Sequence, residues 1–137
     1  MSNWTHFVGA IRVRDIEIEK ISSIAKLFRT CDFGDPEDKW RLCNVPCGSE
    51  GSLQVSIINS SGKYGLVSED EYCISIYGSL RNFSVLNEKA TIRWWFRTIE
   101  RIKRIASLYV NAVLTIRYDG FEDKPLILTD KTVIRND

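Results

Sequence analysis

The chain is poor in the groups on which most enzyme and metal chemistry is built. Among its 137 residues there is one histidine, His6. Any catalytic triad or histidine acid–base pair must use it. It falls in a strand, on the face opposite Phe7, where a polar surface histidine is expected. No Gly-x-Ser-x-Gly, paired-histidine or Cys-x-x-Cys pattern occurs. Only a carboxylate-based mechanism stays open, and no catalytic residue is expected. An excess of one charge is also missing: 19 Lys+Arg against 18 Asp+Glu leaves a net +1. The molecule is no polycation, so attraction for nucleic acid must come from a local patch. No apolar run approaches the roughly 20 residues that cross a bilayer. Met1–His6 shows neither a basic leader nor an apolar signal core, which predicts a cytoplasmic location without membrane association.

The four cysteines (Cys31, Cys43, Cys47, Cys73) are accordingly expected as thiols. Cys43 and Cys47 are separated by three intervening residues rather than the usual two of a zinc knuckle, and Pro46 stiffens the loop between them. Cys31, Cys43, Cys47 and His6 form the only metal set that suggests itself, and neither a metal nor a cofactor is expected.

What is present describes a globular protein. Hydrophobic residues at 44% and charged residues at 27% are ordinary for a folded domain. A chain of this length supports one domain, 1–137, with a core that needs no staples.

Residues 4–14 alternate, with Phe7, Gly9, Ile11 and Val13 on one face and Val8, Ala10, Arg12 and Arg14 on the other, which predicts a strand. Asp15 is a candidate N-cap for a helix over 16–29, whose early Glu17 and Glu19 suit the positive helix start. Glycines, acids and Pro36 punctuate 30–52, with a short helix over 37–43. Residues 52–59 and 72–80 alternate as strands. Asn87 caps a long helix over 87–106, residues 108–118 form a strong strand, Asp119-Gly120 marks a turn, and 125–134 read as one last strand. The order predicts an α+β fold: an antiparallel sheet with two main helices packed on one face, ferredoxin-like (split β-α-β), plus an extra C-terminal strand. The other face is left partly open to solvent, and its exposed face or edge makes a homodimer an expectation.

The long helix carries the strongest functional signal. Ile92, Trp95, Phe96, Ile99, Ile102 and Ala106 recur at spacings that bury one side. Arg93, Arg97, Arg101 and Arg104 form a second stripe, with Trp94 at its edge. Arginine forks contact phosphates and carboxylates bidentately, and Trp and Arg dominate interface hot spots. The stripe is therefore a candidate partner-binding surface. A second candidate is the loop Gly48-Ser49-Glu50-Gly51-Ser52, where Gly48, Ser49, Gly51 and Ser52 suit an anion-binding turn. No lysine and no helix follow it, so it is not a triphosphate loop. The acids at Asp32, Asp35, Glu37 and Asp38, and at Glu69, Asp70 and Glu71, lack calcium-loop spacing and read as solvated loops.

The segments WTHFVGAIRVRDIE and CNVPCGSEGSLQVSI resemble small proteins of unassigned function encoded by bacteriophages and prophages. The resemblance covers the first half of the chain, with Gly48-Ser49-Glu50-Gly51-Ser52 carrying most of it. It brings no catalytic residues. It implies expression in a bacterial cytoplasm and action by binding, as in inhibitors of CRISPR nucleases or sponges for immune signalling nucleotides. The expected function is thus a non-enzymatic protein that binds a host protein or ribonucleoprotein complex, such as a CRISPR or other defence complex. The alternative is a nucleotide or nucleic-acid binder using the same arginines, with Trp94 or Tyr77 stacking on bases.

Overall fold

The computed structural model describes residues 4–14, 16–31, 44–59, 71–81, 83, 87–105, 109–119 and 125–135. In chain order the elements are β1 (Trp4–Arg14), a 3-10 turn (Ile18–Lys20) running into α1 (Ile21–Ala25), β2 (Cys47–Gly48), β3 (Gly51–Ser52) and β4 (Gln54–Asn59). Then come β5 (Glu71–Arg81), α2 (Glu88–Ile105), β6 (Val110–Tyr118), β7 (Leu126–Thr129) and β8 (Val133–Arg135). The chain is α+β. One sheet runs in the order β4-β5-β1-β6-β7-β8, with every neighbouring pair antiparallel. Among the described residues, β2 and β3 pair only with each other.

β1 is the centre of the sheet because its alternation fits two partners at once. Ile11 lies opposite Ile74 of β5 and Ala112 of β6, and Val13 opposite Tyr72 and Val110. These inward residues are buried, Ala112 partly so, whereas the outward Val8 is 69% exposed. Each buried aliphatic side chain stabilises the fold by about 1.5–3 kcal/mol. The core they form also takes Ile24 and Phe28 from the α1 region and Trp95, Ile99 and Ile102 from α2. Trp95 adds direction to its burial: its Nε1 donates to the carbonyl of Thr129 at 2.8 Å, tying α2 to β7. Gly9 sits where three strands meet, and a Cβ there would stand 2.7 Å from the carbonyl oxygen of Val113.

Several boundaries differ from the sequence reading. The helix expected over 16–29 is a 3-10 turn, five α-helical residues and two more hydrogen-bonded turns, Leu27 N–H to Ile24 O and Phe28 N–H to Ala25 O. Its start at Glu17 has no side-chain cap bond, and the Ile-Ser-Ser-Ile run consists of weak helix formers. The fourth strand begins at Gln54, because Gly51 and Ser52 pair back on Cys47 and Gly48 instead. The final strand is a hairpin, β7 and β8, closed by Thr129, whose Oγ1 accepts from the backbone N–H of Lys131 and Thr132. The expected helix over 37–43, the Asp15 cap and Gly120 lie outside the described residues.

Candidate functional site

A cavity of about 340 Å³ lies between the end of the first helical segment, the residue leading towards β2, and one flank of α2. Leu27 and Asn44 form one wall. The other is built by two adjacent rows of α2, Ala90–Trp94–Thr98 and Arg93–Arg97–Arg101. The helical period makes these rows neighbours: spacings of four keep them on one flank, between the buried face (Trp95, Ile99, Ile102) and open solvent. From Arg93 to Arg101 the helix rises about 12 Å.

Trp94 fixes the two walls together. Its Nε1 donates to the carbonyl of Asn44 at 2.6 Å, and its ring lies 6.0 Å from that of Trp95. Asn44 is itself braced: its backbone N–H reaches Arg29 O at 2.7 Å and its Nδ2 reaches Lys26 O at 3.0 Å. Among the described residues, no carboxylate pairs with Arg93, Arg97 or Arg101. Like charges brought side by side repel, and a bound anion removes that cost. Arg104, expected in the same stripe, stands outside the cavity and donates to Glu100 Oε1 at 3.1 Å, one turn back on its own helix. Three arginines of the stripe therefore line the cavity, and Arg104, on the same flank, lies beyond it, about one turn further along the helix axis.

The Gly-Ser loop, expected as an anion-binding turn, directs several of its N–H groups at carbonyls of its own chain. The N–H of Ser49 donates to Arg81 O at 3.0 Å and that of Ser52 to Cys31 O at 2.9 Å, while Gly48 pairs with Gly51 across the small hairpin. Donors spent on carbonyls are not offered to a ligand. The hairpin instead seals one end of β5, with Glu50 accepting from Arg81 Nη1 at 2.7 Å. Gly48 is needed for this contact: a Cβ would stand 2.6 Å from Arg81 O.

Cys31 and Cys47 come together, Sγ to Sγ 3.7 Å. His6 lies with none of the described cysteines, bonded instead to Ser79 and Asp119, and no group of three metal-ligating side chains occurs among the described residues. Cys43 lies outside them.

His6 does have an arrangement that the sequence left unseen. Its Nδ1 is 2.7 Å from Ser79 Oγ and its Nε2 2.8 Å from Asp119 Oδ1. The strand register creates it, since His6 lies opposite Ser79 on β5 and opposite Arg117 on β6. A carboxylate only accepts, so Nε2 carries a proton towards Asp119. A hydroxyl, an imidazole and a carboxylate in series is the order of an activated nucleophile. Here, however, the histidine and aspartate side chains are 42% and 51% exposed. Water competes for both bonds, and the chain braces β5, β1 and the end of β6.

Sequence spacing alone found Arg93, Trp94, Arg97 and Arg101. It missed Asn44, Leu27 and Thr98, because nothing local says which segment packs against the flank of α2. No family model, curated protein or solved structure matches the chain. No helix among the described residues is long and apolar enough to cross a membrane.

Proposed function

We propose that this chain is a non-enzymatic binding protein whose α2 groove captures a phosphate-bearing ligand of nucleotide size. The observation that carries this reading is that Arg93, Arg97 and Arg101 line one cavity together with the indole of Trp94. Planar guanidinium forks suit phosphate oxygens, the indole offers a stacking wall for a base, and about 340 Å³ is within the range of small-ligand pockets. An extended macromolecular partner is less favoured, since the fourth arginine of the stripe lies beyond the cavity and is paired with Glu100.

The resemblance of the first half of the chain to bacteriophage proteins supports a setting in a bacterial cytoplasm, with sequestration of a host signalling nucleotide as the form of inhibition. Blocking a host protein or ribonucleoprotein such as a CRISPR complex is the second reading, favoured by the exposure of all four arginines along α2. The strand order β4-β5-β1-β6, with helices in the β1–β4 and β5–β6 connections, supports a ferredoxin-like arrangement with both helices on one face, extended by β7 and β8. Such folds serve many functions, so the functional reading rests on the groove.

Calorimetric titration with AMP tests it. Binding is expected, weakening steeply with salt, and it is lost in the triple variant Arg93→Glu, Arg97→Glu, Arg101→Glu with an unchanged circular dichroism spectrum. AMP binding that survives the triple change, or binding of neither AMP nor inorganic phosphate by the unaltered protein, would sink the reading.

A further inference from the structure

The sheet has a second face, turned away from both helices' buried residues, and its centre is apolar and open. Val8 is 69% exposed, Tyr77 46% and Val113 45%. An antiparallel sheet face normally presents polar residues to water, and a cluster of exposed apolar side chains marks a contact surface.

We infer that this face binds a second copy of the same face, around a two-fold axis lying along the row Ile76–Gly9–Leu114. The register makes that row a line of symmetry in size and in charge. Val8 and Ala10 flank it on β1, Tyr77 and Ser75 on β5, Thr115 and Val113 on β6. Rotation about the row lays each residue over its counterpart, so the large Val8 meets the small Ala10 and the large Tyr77 meets the small Ser75. A hollow of about 320 Å³ is already present where Val8 of the second copy would seat, walled by Ala10, Arg12, Asn111 and Val113. Towards the ends of the strands the same rotation lays acid over base. Glu71, at one end of β5, falls over Arg81 at the other. A hydrophobic centre with a charged rim is the anatomy of a protein–protein interface, and an isologous contact requires one patch to complement itself. Sheets packed in this way align their strands to within about 30°. The α2 groove lies on the helical side, so the dimer leaves it open and stands independently of the ligand proposed there.

Sedimentation velocity tests the contact. The unaltered protein is expected at twice its 15.8 kDa chain mass, and Val8→Glu at the chain mass with an unchanged circular dichroism spectrum. An unaltered protein that sediments at the chain mass overturns the proposal. So does a Val8→Glu variant that stays dimeric, which would put the contact elsewhere, such as the exposed edge strand β8.

The axis has its own test. It lays Cys73 over position 79 of the other copy. Packed sheets stand about 10 Å apart, too far for a disulfide, so Ser79→Cys treated with a short bismaleimide, whose two rings each add one thiol, is expected to give a cross-linked dimer through the native Cys73. Cys73→Ser combined with Ser79→Cys should lose that band. A dimer that fails to cross-link, or one that still cross-links without Cys73, overturns the axis.

Discussion

The indole N–H of Trp94 and the carbonyl of Asn44 meet at 2.6 Å across fifty positions of chain. This bond joins the helix that carries the arginines to the segment that closes the groove over them. It is also the reason the tryptophan beside the basic stripe is half-buried instead of projecting into solvent.

Trp94→Phe separates the wall from the bond. Phenylalanine keeps an aromatic surface but leaves the Asn44 carbonyl without its donor. An unmet buried acceptor costs about 1–3 kcal/mol. Urea denaturation is expected to show a loss of that order, and AMP affinity should fall several-fold as the Asn44 side of the groove loosens. Unchanged stability would mean that water replaces the indole without cost.

Glu71 and Arg12 form a two-pronged pair across β5 and β1, with Arg12 Nη2 donating to Glu71 Oε2 at 3.2 Å and Arg12 Nε donating to Oε1. Hydrogen bonding by Arg12 holds the Glu71 carboxyl below its ordinary pKa. A pKa lower in the folded state than in the unfolded one adds stability above the ordinary carboxylate value. That stability is lost as pH falls through the folded value. The pair is at the surface, so the effect on stability is small and the titration itself is the better measurement. Carbon-detected NMR should show Glu71 titrating below the other exposed glutamates, and Arg12→Ala should return it to the ordinary range. A Glu71 that titrates normally with Arg12 present contradicts the pairing.

Gly48→Ala places a methyl 2.6 Å from the Arg81 carbonyl oxygen, closer than side-chain carbons come to backbone. The β2–β3 hairpin must then lift from β5. Overpacking of this kind costs about 1–3 kcal/mol, and thermal unfolding is expected to show it. The α2 groove does not include the hairpin, so AMP affinity below the melting transition should be unaltered. If the loop were itself the anion site, the same change would abolish binding.

The Tyr118 hydroxyl is buried and, among the described residues, has no partner at good hydrogen-bond geometry, with the Glu88 carboxylate near it. Burial pushes its pKa above the ordinary phenol value, and the nearby Glu88 carboxylate pushes in the same direction. Tyr118→Phe removes an unmet polar group and keeps the ring, so stability should be equal or higher by about 1 kcal/mol. A melting temperature that drops instead would show that the hydroxyl is bonded in solution.

The strands were legible because alternation is a local property. The three central strands appeared within two residues of their bounds, with Phe7 and Ile11 on the face expected to be buried and Tyr72, Ile74 and Ile76 together on one face. The short elements were not legible. Gly51 and Ser52 continue the alternation of the fourth strand, yet they pair with Cys47 and Gly48, a contact that no spacing announces. Likewise the run from 125 to 134 hides its turn, because the Thr129 hydroxyl replaces the glycine or proline that usually marks one. Within α2, Thr91 and Thr98 are buried though polar; a hydrophobicity pattern passes over them, and only the packed neighbours reveal the face.

By itself, the sequence determined the α+β class, the inward faces of the strands and the arginine row of the long helix, since each follows from periodicities of two or of three and four along a single segment. Only the tertiary structure decided that Asn44 faces Trp94, that three arginines and not four line the groove, and that His6 stands between Ser79 and Asp119. Those relationships join residues distant in the chain, and they depend on strand register and helix placement, which are set by burying the whole core at once rather than by any local stretch.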